Sequence, residues 1–388
     1  MEAYIVDAVR TAGGRRKGSF SGTHPSDLGG KVLDALIERT GVDPQLVEDV
    51  IVGCVTKAGE QAFAIGRSCV LASNALSDAT PAVTIDRQCG SSQQAVQFAA
   101  QAVLSGTQDI IIAAGVENMT RVPMQSDFRL HEKAGIGMGP WSQAVLDKYG
   151  VKEFSQFDGA DMIAKKNGFT REMLDQFAYE SHMKAAAAVK ADAFADEIIP
   201  VETEIGVLKQ DEGIRFDCSA EGLAKLDTIL PGGFHTAGNA SQMTDAASAA
   251  LIVGERALKK YGFKPLAKIK NFTVTAGDPV IMLEEPLRAT KVALERAGMT
   301  IDQIDLFEVN EAFAAVPMAW LIATGADPAK LNVNGGAIAL GHPLGASGTK
   351  LMSTLAYALR NRGLRYGLQV MCEGGGLANV TIIENLAL

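Results

Sequence analysis

Tryptophan is nearly missing from this chain, with two in 388 residues, and all aromatics together make up 6%. Cysteine is sparse as well. The five present (Cys54, Cys69, Cys89, Cys218, Cys372) are odd in number and form no CxxC pair or other metal-ligating spacing. That excludes a disulfide framework and a zinc ribbon. With no apolar leader segment ahead of the first strand pattern, it predicts a cytoplasmic protein with free thiols. Basic residues do not dominate: 36 Lys and Arg stand against 45 Asp and Glu, a net charge of −9. This argues against a nucleic-acid partner. No apolar run approaches the ~18 residues of a bilayer-crossing helix, so membrane insertion is not expected. What the chain does have is small and apolar. Hydrophobic residues reach 47%, and the 40 glycines cluster at turns. The length exceeds what a single core usually serves, so two or three domains are expected.

Short apolar runs alternate with amphipathic stretches. Residues 4–9 (YIVDAV), 50–54 (VIVGC) and 110–114 (IIIAA) read as strands. Leu28, Val32 and Leu36 mark one face of an intervening helix, and residues 93–104 a second. Such alternation predicts an α/β fold, a sheet covered by helices on both faces. The pattern then returns. Helix VLDALIERTG closes at Gly41 and helix KVALERAG at Gly298; the helix after Cys89 closes at Gly106 and the one after GASG at Gly363. Both pairs lie 257 positions apart. Glycine is a common helix terminator, but equal offsets at two separate points indicate an internal duplication. Each half would give one helix N-terminus to a shared centre. Between the halves the character changes, with Met119, Met124, Met138, Met162, Met173 and Met183 among Pro and Gly. This stretch is too long to be a connection. The expected division is 1–118 plus 245–265 for the first half, 119–244 for an inserted loop subdomain, and 266–388 for the second half. The methionines offer an adaptable lining for an apolar pocket, although such residues are more often ordinary core.

Four segments carry candidate chemistry. Cys89, in DRQCGSSQQAV, sits where a good helix former begins. Unpaired N–H groups and the helix dipole favour thiolate there, and small neighbours leave room for a carbonyl. A free cysteine is more commonly a buried structural residue, but the polar Arg87 and Gln88 before it oppose that reading. His342, in NVNGGAIALGHPLGASG, is held among glycines with Pro343 fixing the backbone. An imidazole there can take a thiol proton or donate to an oxyanion. Cys372, in MCEGGG, follows an apolar strand. The glycines after it, Gly374 included, let backbone N–H groups point into a cavity as an oxyanion hole requires. Asn310 and Glu311 end another apolar strand in FEVNEAF, which suggests a site at a sheet's carboxyl edge; Asn310 could equally cap the next helix.

Taken together, four segments resemble the thiolase family (acetyl-CoA C-acyltransferases): QCGSSQQA at 88–95, NEAF at 310–313, GHPLGASG at 341–348 and CEGGG at 372–376. The resemblance covers nearly the whole chain. It implies duplicated βαβαβαββ halves in an α/β/α/β/α layered core with an inserted loop subdomain. It further implies Cys89 as nucleophile, His342 and Cys372 as acid/base groups, and Asn310 holding a water beside His342. The N–H groups of Cys89 and Gly374 would form a second oxyanion hole. HTAGNASQMTDAASA (235–249) and DEGIR (211–215) resemble coenzyme A contacts, which points to Arg215 and Ser241, with Phe313 packing nearby. Coenzyme A enters as co-substrate, acyl-CoA is the partner, and no metal or permanent cofactor is expected. A homodimer or homotetramer is expected.

Two departures bear on substrate. Acetoacetyl-CoA thiolases tend to carry His-Met-Gly where this chain has Phe157, Asp158 and Gly159, which favours a degradative 3-ketoacyl-CoA thiolase acting on fatty, bulky or steroid side-chain acyl groups. A biosynthetic acetoacetyl-CoA thiolase is the alternative. Glu373 within CEGGG is the second departure, and it would either raise the Cys372 pKa or point away. A decarboxylating ketoacyl synthase would need two histidines at the site, and only His342 has the setting. A non-catalytic acyl-CoA-binding protein would not need Cys89, His342, Asn310 and Cys372 together.

Overall fold

A computed structural model describes residues 2–387. The first half runs β1 (Ala3–Thr11), α1 (Pro25–Thr40), β2 (Asp49–Gly53), α2 (Ile65–Ala72), β3 (Ala82–Ile85), α3 (Ser91–Ser105) and β4 (Ile110–Asn118). An excursion follows, with helices α4 (Gln156–Asn167) and α5 (Arg171–Lys190) among shorter pieces, before β5 (Thr244–Gly254) returns to the sheet. The second half repeats the order as β6 (Ala267–Ala276), α6 (Glu285–Ala297), β7 (Leu306–Val309), α7 (Ala315–Thr324), α8 (Ser347–Arg362), β8 (Tyr366–Glu373) and β9 (Leu377–Asn385).

The strands lie in the order β7-β8-β9-β6-β1-β5-β4-β2-β3. The path is two similar sheets joined at their edges, where β1 meets β6 through only Tyr4↔Lys268 and Ile5↔Ala267. In both sheets the strand from the end of the half (β5, β9) is inserted antiparallel beside the first strand. The duplication expected from the glycine spacing is therefore real. Gly41, Gly106, Gly298 and Gly363 all close their helices in the left-handed conformation. The copy is incomplete: where the first half has β3, the second keeps a single parallel bridge, Phe307↔Leu331.

Helices α3 and α8 pack against each other and against both sheets. Gly348, in the first turn of α8, lies against the Gln93 backbone so closely that a Cβ would overlap the Gln93 nitrogen. Thr349 N–H donates to Ser92 Oγ (3.0 Å) beside it. Side-chain amides stitch this interface to the second sheet: Gln93 Nε2 donates to Thr381 Oγ1 (2.9 Å) and Gln369 Nε2 to Gln93 Oε1 (2.8 Å). Buried amides must find partners or cost free energy, so the bonds fix how the two helix N-termini face each other. The excursion is tied down by a buried ion cluster, with Arg10 on β1 donating to Glu197 (2.6 Å) and Asp211 (2.8 Å), all three out of solvent. Removing one member of such a cluster leaves an uncompensated buried charge.

Candidate active site

Cys89 precedes the N-terminus of α3 on a tight turn. Gln88 occupies the left-handed region at φ +48°, which a non-glycine residue holds only when its surroundings enforce it. They do. Gln88 N–H donates to Asp86 Oδ1 (2.8 Å), and Ser91 Oγ takes the Arg87 N–H (2.9 Å) while donating to Gln88 O (2.6 Å). Asn379 Nδ2 holds Gly90 O (3.0 Å) from β9.

His342 follows the short helix Ala337–Leu340. Its backbone N–H goes to Gln242 O (2.9 Å) and Thr244 Oγ1 (3.1 Å). Ring Nδ1 meets Ser347 Oγ (2.6 Å), and that hydroxyl spends its one proton on Pro343 O (2.9 Å). Ser347 must therefore accept from Nδ1–H, which leaves Nε2 with a lone pair. Asn310 Nδ2 faces this lone pair at 3.5 Å and also Cys372 Sγ at 3.8 Å. Asn310 thus joins the histidine to the second cysteine, and its own Oδ1 is buried without a protein partner.

Burial dominates the electrostatics. It pushes His342 down to about 3, with the Lys350 charge adding to the effect. It pushes Cys372 up to about 12, against donation from Asn310. The Cys89 thiol is raised well above its ordinary value, first by burial and then by Cys372 and Glu373. This corrects the expectation that the helix N-terminus makes Cys89 a resting thiolate. Desolvation outweighs the dipole, and the thiol needs a base.

A neutral His342 has a consequence for stability. Between about pH 3 and 6.5 the unfolded chain binds a proton on this residue that the folded chain refuses, so stability falls as pH drops through that window. The slope from one such group is about 1.4 kcal/mol per pH unit. His342→Asn should flatten it, and urea midpoints at about pH 5 and pH 7 measure the difference; an unchanged slope would show that His342 is not held neutral.

A cavity of about 700 Å³ opens over Cys89 and Gly374. Aromatic side chains of the excursion line it, chiefly Phe128, Trp141, Tyr149, Phe154 and Phe157. The methionine expectation is corrected here. Only Met124 of the six reaches the cavity, Met119 packs beside Cys89, and Met138, Met162 and Met173 face solvent.

The remaining candidates separate into two places. Ser241 N–H donates to Ala312 O (2.9 Å), Ala240 bridges to Phe313, and the Phe313 ring stacks edge-on against Phe157 and His235. Arg215 is exposed and its backbone N–H caps His182 Nδ1 (3.1 Å). Gln242 connects the two regions by donating to Gly213 O (2.8 Å).

Glu117 escaped the sequence reading. Its carboxylate accepts from Val55 N–H (2.9 Å), Thr56 N–H (3.1 Å), Gln61 Nε2 (2.8 Å) and Gly345 N–H (2.8 Å). It locks the loop that precedes α8 to the first sheet. A charged residue ending the apolar strand IIIAAGVEN was the available signal.

A duplicated α/β core that sets two cysteines, a neutral histidine and an asparagine at one buried seam defines an acyltransferase working through a cysteine thioester. Residues 3–256 match the thiolase N-terminal domain and residues 263–385 the thiolase C-terminal domain, and the chain belongs to the thiolase family. It is 51% identical over 387 residues to the steroid 3-ketoacyl-CoA thiolase FadA6 of Mycobacterium tuberculosis, covering 99% of this chain and 94% of that protein. It is 41% identical to a beta-ketoadipyl-CoA thiolase of Acinetobacter baylyi, covering 99% of each. It is 40% identical to an acetyl-CoA acetyltransferase of Chromobacterium violaceum, covering 99% of this chain and all of that protein.

Proposed function

We propose that this thiolase cleaves 3-oxoacyl-CoA with coenzyme A, and that its preferred acyl groups are bulky and apolar. The observation carrying the reading is the seam itself, where Asn310 connects the His342 lone pair to the Cys372 thiol. His342 Nε2 takes the Cys89 proton, and the thiolate attacks the 3-keto carbon. The 2,3 carbon–carbon bond breaks and leaves an acyl-Cys89 thioester and an enolate, which Cys372 protonates. Cys372 then recovers a proton from the incoming coenzyme A thiol. The new thiolate releases the shortened acyl-CoA, and Cys89 regains its proton from His342. This is two-step covalent catalysis with a balanced proton inventory. Asn310 Oδ1, left without a protein partner, suits a water that shares one oxyanion with His342; the N–H groups of Cys89 and Gly374, on one cavity, suit the other. Ser241, Phe313 and Arg215 are assigned to coenzyme A.

The aromatic lining supports the bulky-acyl preference, as does the likeness to a relative named for steroid 3-ketoacyl-CoA. The test is CoA-dependent loss of 3-ketoacyl-CoA enolate absorbance, with acetoacetyl-, medium-chain and sterol-derived substrates compared. A kcat/KM that peaks at acetoacetyl-CoA restores the biosynthetic reading. Trp141→Ala should lower kcat/KM for the bulky substrate roughly 10- to 100-fold, the scale of one buried aromatic contact, and leave acetoacetyl-CoA within a few-fold; equal losses on both would remove Trp141 from the acyl pocket.

We assign the chain to a homo-oligomer. Edge strand β3 and its neighbours expose Val83, Leu71, Phe98 and Phe63, the last 93% exposed, and an unpaired apolar edge invites a second copy. The cysteines are free, in keeping with the cytoplasm. No helix among the described residues is long and apolar enough to cross a membrane.

A further inference from the structure

The two halves provide an internal control for one unexplained residue. In β4, Ile111 pairs with Asp49, and in β8, Gly367 pairs with Leu306, so the register makes Glu117 and Glu373 counterparts. Glu117 has four N–H donors. Glu373 is equally out of solvent, and neither of its oxygens has a hydrogen-bond partner. A carboxylate anion buried without donors costs several kcal/mol, so the same strand position that can hold a charge in the first half holds a neutral acid in the second.

Its location gives that difference meaning. Cys372 and Glu373 are consecutive strand residues and point to opposite faces. Cys372 faces Asn310, whereas Glu373 reaches behind the nucleophile turn, where its Oε1 fills the space a side chain on Gly90 would need. Gly90 is glycine because Glu373 is there. The charged and titratable groups acting on the carboxyl or on the neighbouring thiol are Arg87, Cys89, Cys372 and Glu117. The Asn379 backbone N–H also acts on the carboxyl but does not come into hydrogen-bond geometry.

We propose that Glu373 is a positioning residue for Cys89: its neutral carboxyl packs behind the nucleophile turn, and its ionisation as pH rises disfavours the thiolate and makes Cys89 reactivity level off. The direction of its shift agrees, since burial raises the carboxyl well above the ordinary range. An anion formed there would face the developing Cys89 thiolate through the protein interior, where like charges repel far more strongly than in water. The proposal rests on Cys89 as nucleophile, so the test reads Cys89 directly and not through thiolysis.

Alkylation of Cys89 by iodoacetamide, an uncharged probe, is followed across neutral to alkaline pH by peptide mass. The wild type should speed up with pH and then level off. Glu373→Gln and Glu373→Met, uncharged at every pH, should match it near neutrality and continue to rise, reaching at least a roughly tenfold advantage at the alkaline end, the equivalent of one pK unit. The methionine variant guards against an amide that cannot be satisfied in the dry site. A purely structural role would scale the rate equally at all pH values, which overturns the proposal. A wild-type profile that rises without levelling off overturns it too, as does a variant already about tenfold faster at neutral pH, because the resting carboxyl would then be charged. A Cys89 that resists alkylation throughout would remove the nucleophile assignment and this proposal with it.

Discussion

Cys89→Ala is expected to abolish thiolysis, by roughly 10⁴- to 10⁶-fold, the scale on which covalent enzymes lose turnover with their nucleophile. Everything that holds the turn survives the change. The bonds from Gln88 N–H to Asp86, from Arg87 N–H to Ser91, from Ser91 to Gln88 O and from Asn379 to Gly90 O leave the thiol out, so the variant should fold with a melting temperature within a few degrees of wild type. Trapping supplies the positive side. Wild-type protein mixed with a 3-oxoacyl-CoA before coenzyme A is added should gain one acyl group on the Cys89 peptide. Acylation found on Cys372 would sink the assignment, because the two thiols sit in the same seam and only their surroundings distinguish them.

The next largest effects concern Cys372 and His342, and they should differ in kind. Cys372→Ser replaces a thiol at about 12 with a hydroxyl whose pKa is too high to exchange protons with an enolate or with coenzyme A. Turnover should fall about 10²- to 10⁴-fold, the range of one general acid/base group, with burst acylation of Cys89 reduced far less than complete cleavage. His342→Ala removes the base proposed for a thiol that burial has made a poor acid. Here acylation itself should fall by a similar factor. Rapid quenching with mass detection separates the two patterns, and equal losses of acylation in both variants would refute the division of labour.

Much of this was legible in the chain. Four helix-closing glycines at one repeated offset disclosed the duplication, because a left-handed cap is a local backbone requirement that only glycine meets cheaply. Cys89, His342 and Cys372 stood out because each lies in a run of small residues that a helix or strand alone would not need. Other features had no local signature. The truncation of the second sheet to the Phe307↔Leu331 bridge could not be read from strand propensity, since pairing belongs to two segments at once.

The amino-acid sequence by itself determined which chemical groups are available and the order in which helices and strands present them, since those follow from residue type and from periodicity. The tertiary structure decided their state. Desolvation turned an expected Cys89 thiolate into a protonated thiol. A single hydroxyl proton on Ser347 decided which His342 nitrogen keeps its lone pair. Aromatics took most of the cavity wall that the excursion supplies, with Met124 the one methionine of the six expected there, and Glu117 and Glu373 diverged at equivalent strand positions because one met four N–H donors and the other met none. Each of these depends on distances between segments far apart in the chain. A protonation state or a cavity wall is set by what surrounds a group, and those surroundings exist only once the two halves have packed.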